Sequence, residues 1–244
     1  MTVRQRVALL GLLLLLGAAP ARAGDRPFLA TSTALVEDDE DKALALEAWV
    51  ESGRSQGSLR LQQWRTQAEY NFDPWTSLQF EFGAARVPDT DGTVTERSVE
   101  VEARQVLRDI DRHGWGFALA LGGEWQVGGP DRSRFLYAPM SWRLPDAEGF
   151  LHLNLGAEWR TDRGTRARWA LGAEHELNRH WIALAEAGGV AGSERLAHAG
   201  FRYWFKRDKL AFDAGIAERT LIDGDVERRS RMLVLGFAVR DIDF

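Results

Sequence analysis

From residue 43 onward the chain is a succession of short runs in which bulky apolar side chains alternate with small or polar ones. In "GWGFALALGGEWQVGG", Trp115, Phe117, Leu119, Leu121, Trp125 and Val127 hold the odd positions. Gly116, Ala118, Ala120, Gly122, Glu124 and Gln126 hold the even ones. A strand sends successive side chains to opposite faces, so this is one bulky apolar face backed by one small or polar face. The same pattern recurs where Trp64, Thr66, Ala68, Tyr70 and Phe72 oppose Gln63, Arg65, Gln67, Glu69 and Asn71. It recurs again where Leu151, Leu153, Leu155 and Trp159 oppose His152, Asn154, Glu158 and Arg160. About twelve such runs are legible from alternation and turn residues, near 43–53, 60–72, 76–86, 97–108, 115–127, 135–144, 149–160, 167–177, 181–190, 196–205, 210–219 and 230–240.

The connections leave no room for crossover helices, so neighbouring strands run antiparallel in chain order. Asp73-Pro74, Asn178 to His180 and Lys206 to Asp208 read as tight turns, whereas "PDTDGTVTE" (88–96), "GGPDRSR" (128–134) and "LIDGDVERR" (221–229) read as longer loops at the other end. Alternation alone fits a soluble sandwich as well as a barrel in lipid. The ten tryptophans separate the two. Trp75, Trp115, Trp142, Trp181 and Trp204 fall at the tight-turn ends of the runs, and Trp49, Trp64, Trp125, Trp159 and Trp169 toward the loop ends. Two rings of amphipathic aromatics around a Leu-, Ala- and Gly-rich middle are the interfacial girdles of a transmembrane barrel. The expected girdle is Trp75, Trp115, Trp125, Trp142, Trp159, Trp169, Trp181 and Trp204. The fold expected over 43–244 is an all-β, antiparallel up-and-down transmembrane β-barrel of about twelve strands. It must close, because open backbone edges in hydrocarbon are unsatisfied.

The N-terminus agrees with export. Residues 1–23 carry Arg4 and Arg6, an apolar run from Val7 to Ala19, and Ala21-Arg22-Ala23, the plan of a cleaved secretory signal peptide. The chain has no cysteine, so neither a lipid anchor nor a disulfide framework is available. A net charge of −5 leaves no basic footprint for nucleic acid. Residues 24–42 lack alternation and contain the acidic run Glu37 to Asp41. They read as a periplasmic segment, either a tail or a plug that tucks "PFLATSTALV" into the lumen. An even strand count places both ends of the barrel on the periplasmic side. The terminal Phe244 resembles the signal read by the outer-membrane barrel-assembly machinery. Leu233, Leu235, Phe237 and Val239 alternate in one phase and Ile242 and Phe244 in the other, which calls for a bulge or strand end near Arg240 to Asp241.

With the bulky face turned to lipid, the polar face lines the interior. Its candidates are Glu47, Arg65, Glu69, Glu81, Glu102, Arg104, Glu124, Arg143, His152, Glu158, Arg160, Glu174 and Arg202. Such a lining serves a polar pore or a salt-bridged filling, and an excess of carboxylate favours cations. No catalytic, cofactor or metal site is expected. The His152 and Ser141 pair on adjacent runs is the nearest approach to a nucleophile and base, without a surrounding motif. The run Glu37 to Asp41 lacks the Gly and ligand spacing of a calcium loop.

The stretches "RPFLATSTALVEDDEDKALALEAWVE", "GFLHLNLGAEWR" and "RWALGAEHELNRHWIALAEAGG" resemble the outer-membrane barrel family associated with phenol-degradation pathways and its transporter-like relatives. That resemblance implies a passive channel for small, apolar or aromatic compounds. The expected partners are outer-membrane lipid and the barrel-assembly machinery. The alternatives are an outer-membrane enzyme, a structural barrel without transport, and a soluble periplasmic β-protein.

Overall fold

The computed structural model describes residues 28–34, 43–55, 60–89, 92–130, 132–145, 148–161 and 164–242. The signal-peptide reading of 1–23, the run Glu37 to Asp41 and Phe244 lie outside the described residues. The strands are β1 (Leu44–Ser55), β2 (Arg60–Asp73), β3 (Thr76–Asp89), β4 (Gly92–Arg108), β5 (Trp115–Gln126) and β6 (Arg132–Arg143). They continue as β7 (Gly149–Arg160), β8 (Gly164–Asn178), β9 (Trp181–Val190), β10 (Glu194–Lys206), β11 (Leu210–Asp223) and β12 (Val226–Ile242). Each pairs antiparallel with the next, and β12 returns to β1, closing the barrel. This is a twelve-stranded antiparallel up-and-down transmembrane β-barrel.

Which face turns inward is decided on β5. Ala118 and Ala120 are fully buried, whereas Leu121 is 59% exposed on the outer face. Leu119, Trp125, Leu136, Leu155, Ile216 and Leu233 are exposed in the same way, while Glu51, Glu102, Arg104 and Arg202 are buried. Large apolar groups outside and charge inside is the reverse of a water-soluble sheet. Among the described residues no helix is long and apolar enough to cross a membrane.

The phase change at the end of the chain is a bulge where the sequence calls for one. Leu46 pairs with Val239 but Leu44 pairs with Ile242, so β12 carries an extra residue within Arg240 and Asp241. The expected contrast between short turns and long loops is not what the structure has. Residues 88–96 and 221–229 mostly continue as paired strand, with Asp89 opposite Gly92 and Asp223 opposite Val226. The two-residue turn Gly224-Asp225, with Gly224 at φ 60°, fits the strand twist, so the alternating residues on either side of it keep pairing. At the other end, residues 109–114 form a helical turn instead, α1 (Ile110–His113). Asp109 caps it and Gly114 ends it at φ 73°.

The girdle needs one correction. Trp75, Trp115, Trp125, Trp159, Trp169 and Trp181 are exposed on the outside, and Trp142 is half-buried opposite Trp115. Trp204, expected among them, is 2% exposed and points inward, as does Trp49 at 6%. The reason is parity: in β10 the even positions Leu196, His198 and Arg202 all face in, and Trp204 shares their phase. The guanidinium groups of Arg202 and Arg240 lie over its ring at 5.2 and 5.7 Å, a cation–π site inside the wall.

Candidate functional site: a lumen shared between charge and the segment 28–34

The interior holds two different fillings. On the flank made mainly by β6 to β11, residues 28–34 run along the inner wall. Polar side chains of the barrel take up their backbone groups one after another. Glu186 on β9 accepts from the N–H groups of Leu29 (2.5 Å), Ala30 (3.0 Å) and Thr31 (3.0 Å), and from the Thr31 hydroxyl (3.0 Å). His198 Nδ1 lies 3.1 Å from the same carboxylate. On β7 the Asn154 amide, oriented by its neighbours, accepts from the Ser32 N–H at 2.7 Å and donates to the Ser32 carbonyl at 2.8 Å. On β6 the Ser141 hydroxyl accepts from the Ala34 N–H at 2.9 Å. A non-regular segment buried away from water needs such partners, because each orphaned polar group costs about 1–3 kcal/mol.

The wall makes room for the segment with small residues. A Cβ on Gly172 would stand 3.0 Å from Thr31 Cγ2 and 3.2 Å from the Phe28 ring. One on Gly116 would stand 3.1 Å from the Ala34 carbonyl oxygen. Leu29 and Ala30 pack on Leu196, Ala217, Met232 and Val234, and Ala34 on Val106 and Ala118. Ser141 and His152 do meet, Oγ to Nδ1 at 2.8 Å. Ala34 covers the hydroxyl, and the imidazole is wholly buried against Phe28 and Phe150.

On the opposite flank, β1 to β4 turn long charged side chains inward. Arg65 reaches Glu81 at 3.4 Å and Glu51 at 3.9 Å. Arg104 reaches Glu102 at 3.4 Å and Glu69 at 3.8 Å. Tyr137 joins the two flanks, since its hydroxyl donates to Glu102 at 2.5 Å and lies 2.6 Å from the Ser32 hydroxyl. Between the flanks is a cavity of about 90 Å³. Glu47, Glu81, Glu100 and Glu102 line it with Arg65, Arg104 and Arg168, and residues 28–32 form one of its walls. Below it, Glu47 joins Arg240 (Nε to Oε1, 2.9 Å) and Arg202, which binds Asp213 through both oxygens at 2.7 and 2.9 Å.

Of the expected lining residues, the structure buries Glu47, Glu69, Glu102, Arg104, His152, Glu158, Glu174 and Arg202 on the inner face. It leaves Arg65, Glu81, Glu124 and Arg160 half-buried on the same face, with Arg160 3.5 Å from Glu158. Arg143 is corrected: it is exposed at the tight-turn mouth, where β6 ends, and pairs with Asp111 of α1. Parity names the inward positions but not their partners. The roles of Tyr137, Ser141, Asn154 and Glu186 in holding residues 28–34 depend on where that segment lies, which alternation does not carry. The inward glycine Gly172, flanked by larger outward residues, is the nearest thing to a sequence signal for it.

Solved structures share the fold at low identity. The COG4313 outer membrane channel from Pseudomonas putida F1 superposes with a TM-score of 0.60 at 12% identity, covering 89% of this chain and 100% of that one. A KdgM porin gives 0.59 at 12% identity over 80% and 98%, and a NanC porin 0.56 at 12% over 79% and 98%. No curated relative matches the chain. A family model matches residues 34–211, and on that match the chain belongs to the family described as Uncharacterised conserved protein UCP029691.

Proposed function

We propose that this chain is an outer-membrane channel for small solutes, narrowed by its own residues 28–34. The observation that carries this reading is the polar cavity of about 90 Å³ with residues 28–32 as one wall. A closed barrel with a lipid-facing exterior and a polar interior has the plan of a channel, and the space left for a solute lies beside the docked segment. Four carboxylates against three guanidinium groups on the lining support a preference for small cations and polar solutes. The resemblance to barrels associated with phenol degradation implies apolar or aromatic cargo. Phe28, Trp49 and Tyr137 are the aromatic surfaces available to it, but charge dominates the rest of the lining. In this proposal residues 1–23 direct export and are removed, the tight-turn end faces the periplasm, and the last strand engages the assembly machinery.

The test removes Gly24 to Asp41. The shortened barrel keeps its heat-modifiable gel mobility, and its single-channel conductance in planar bilayers rises several-fold with cation preference retained. An unchanged conductance in a barrel that still folds overturns the role given to the segment. A full-length and a shortened barrel that both fail to conduct overturn the channel reading.

A further inference from the structure

The two rims of the outer face differ in chemistry. At the tight-turn rim the strands end outward in aromatic groups, among them Phe72, Trp115, Trp181 and Phe205. At the loop rim many of them end in arginine. Arg54, Arg86, Arg97, Arg134, Arg195 and Arg231 are all exposed on the outward face toward the loop ends of their strands, with Arg134 level with Trp159 of the girdle. The strand register concentrates this charge. Arg54 on β1 stands opposite Arg231 on β12. Like charges placed directly across neighbouring strands repel, so such a row calls for an anion. The acid in the row is Glu218, opposite Arg231, and it is already shared between Arg231 at 3.0 Å and Arg229. Arg195 reaches Glu227 at 3.8 Å, and Arg54 has no ion-pair partner among the described residues. Beside this row, β10, β11 and β12 leave an open notch of about 390 Å³ bounded by Arg195, Glu218, Glu227 and Arg229.

We propose that this rim binds the phosphate groups of a membrane lipid, the phosphorylated headgroups of the leaflet that meets the loop end. The inference rests on the membrane reading above. Guanidinium groups pair with phosphate oxygens through two parallel hydrogen bonds. At the height where the apolar belt ends, headgroup phosphates are the anions a bilayer supplies. The two glutamates leave the patch cationic, and they fix Arg195, Arg229 and Arg231 at its edge.

The test uses the folded full-length barrel in detergent, mixed with a bisphosphorylated diglucosamine lipid or with its dephosphorylated form. Lipid retention is read by native mass spectrometry. The wild type retains the phosphorylated lipid preferentially. The double variant Arg54→Gln with Arg231→Gln loses about tenfold of that retention or more, and Arg179→Gln at the opposite rim loses none. Equal retention of the two lipids by the wild type, or an unchanged preference in the double variant, overturns the proposal. Flotation of the barrel with vesicles reads membrane insertion separately. A barrel that floats yet shows no phosphate preference therefore refutes this site alone, and one that does not float refutes the membrane reading.

Discussion

The two flanks of the lumen are built from the same alternation and do opposite things. On β1 to β4 the inward positions are long and charged, including Glu47, Glu51, Arg65, Glu69, Glu81, Glu102 and Arg104. These side chains reach across the interior, pair with one another, and leave a polar cavity beside them. On β5 and β7 to β11 many inward positions are small, including Gly116, Ala118, Ala120, Ala170, Gly172, Gly188, Gly200 and Ala217. Several of them make the space in which residues 28–34 lie. Residue size on the inner face therefore separates a wall that fills the lumen with its own side chains from a wall that accepts a second stretch of chain. The fixed acceptors Glu186, Asn154 and Ser141 convert that space into a seat for backbone.

The comparison depends first on which face of each strand is inward, and the largest effect tests that assignment. Leu121→Arg places a cation on the lipid face and is expected to destabilise the barrel by about 2–4 kcal/mol near the bilayer midplane. Glu124→Arg, on the inner face of the same strand, is expected to have a clearly smaller effect. Urea unfolding of the two variants in lipid vesicles checks this, and equal penalties break the assignment.

A smaller effect sharpens the difference between the flanks. Glu186→Leu strands three backbone N–H groups, that of Thr31 buried and those of Leu29 and Ala30 half-buried, and a hydroxyl. Release of residues 28–34 relieves part of that cost, so the expected loss is about 2 kcal/mol, together with a rise in conductance. Gly172→Leu acts on the same seat by crowding Thr31 and Phe28, with an expected cost of about 1–3 kcal/mol. Glu81→Gln on the other flank leaves the segment in place and changes ion preference alone. Accessibility of a cysteine introduced at Ser32 to a water-soluble reagent reports release. It should rise in the two seat variants and stay at the wild-type level in Glu81→Gln.

The smallest effect lies outside the lumen and marks where the lipid belt stops. On β11 the outward side chains run from Phe212 and Ile216 to Glu218. Hydrogen bonds from Arg229 and Arg231 hold the Glu218 carboxyl below its ordinary value. A carboxyl with a depressed folded-state value contributes stability above its unfolded value, near 4.3 for Glu, and loses it as pH falls through the folded value. The wild type should therefore show a slight weakening of unfolding resistance as pH drops below about 4, and Glu218→Gln should lack that component. Superimposable pH profiles for the two proteins refute the assignment.

The alternation, the twelve runs and the inward side of each strand are properties of the sequence. In a sheet half-exposed to lipid, a period of two leaves one register that keeps charge out of hydrocarbon. The same reasoning located the bulge between Val239 and Ile242. Trp204 was legible too, since its even position matches His198 and Arg202. Parity, not nearness to a strand end, sets its direction. Tertiary structure alone decided what each inward group meets. Glu47 finds Arg240 across the β1–β12 seam, 193 residues away in the chain, and Glu186 finds Leu29 across 157. Those meetings depend on closure, on strand stagger and on the course of residues 28–34 through the lumen. None of these leaves a local periodic trace, because the contacts join positions whose spacing in the chain is set by the whole circuit of the barrel.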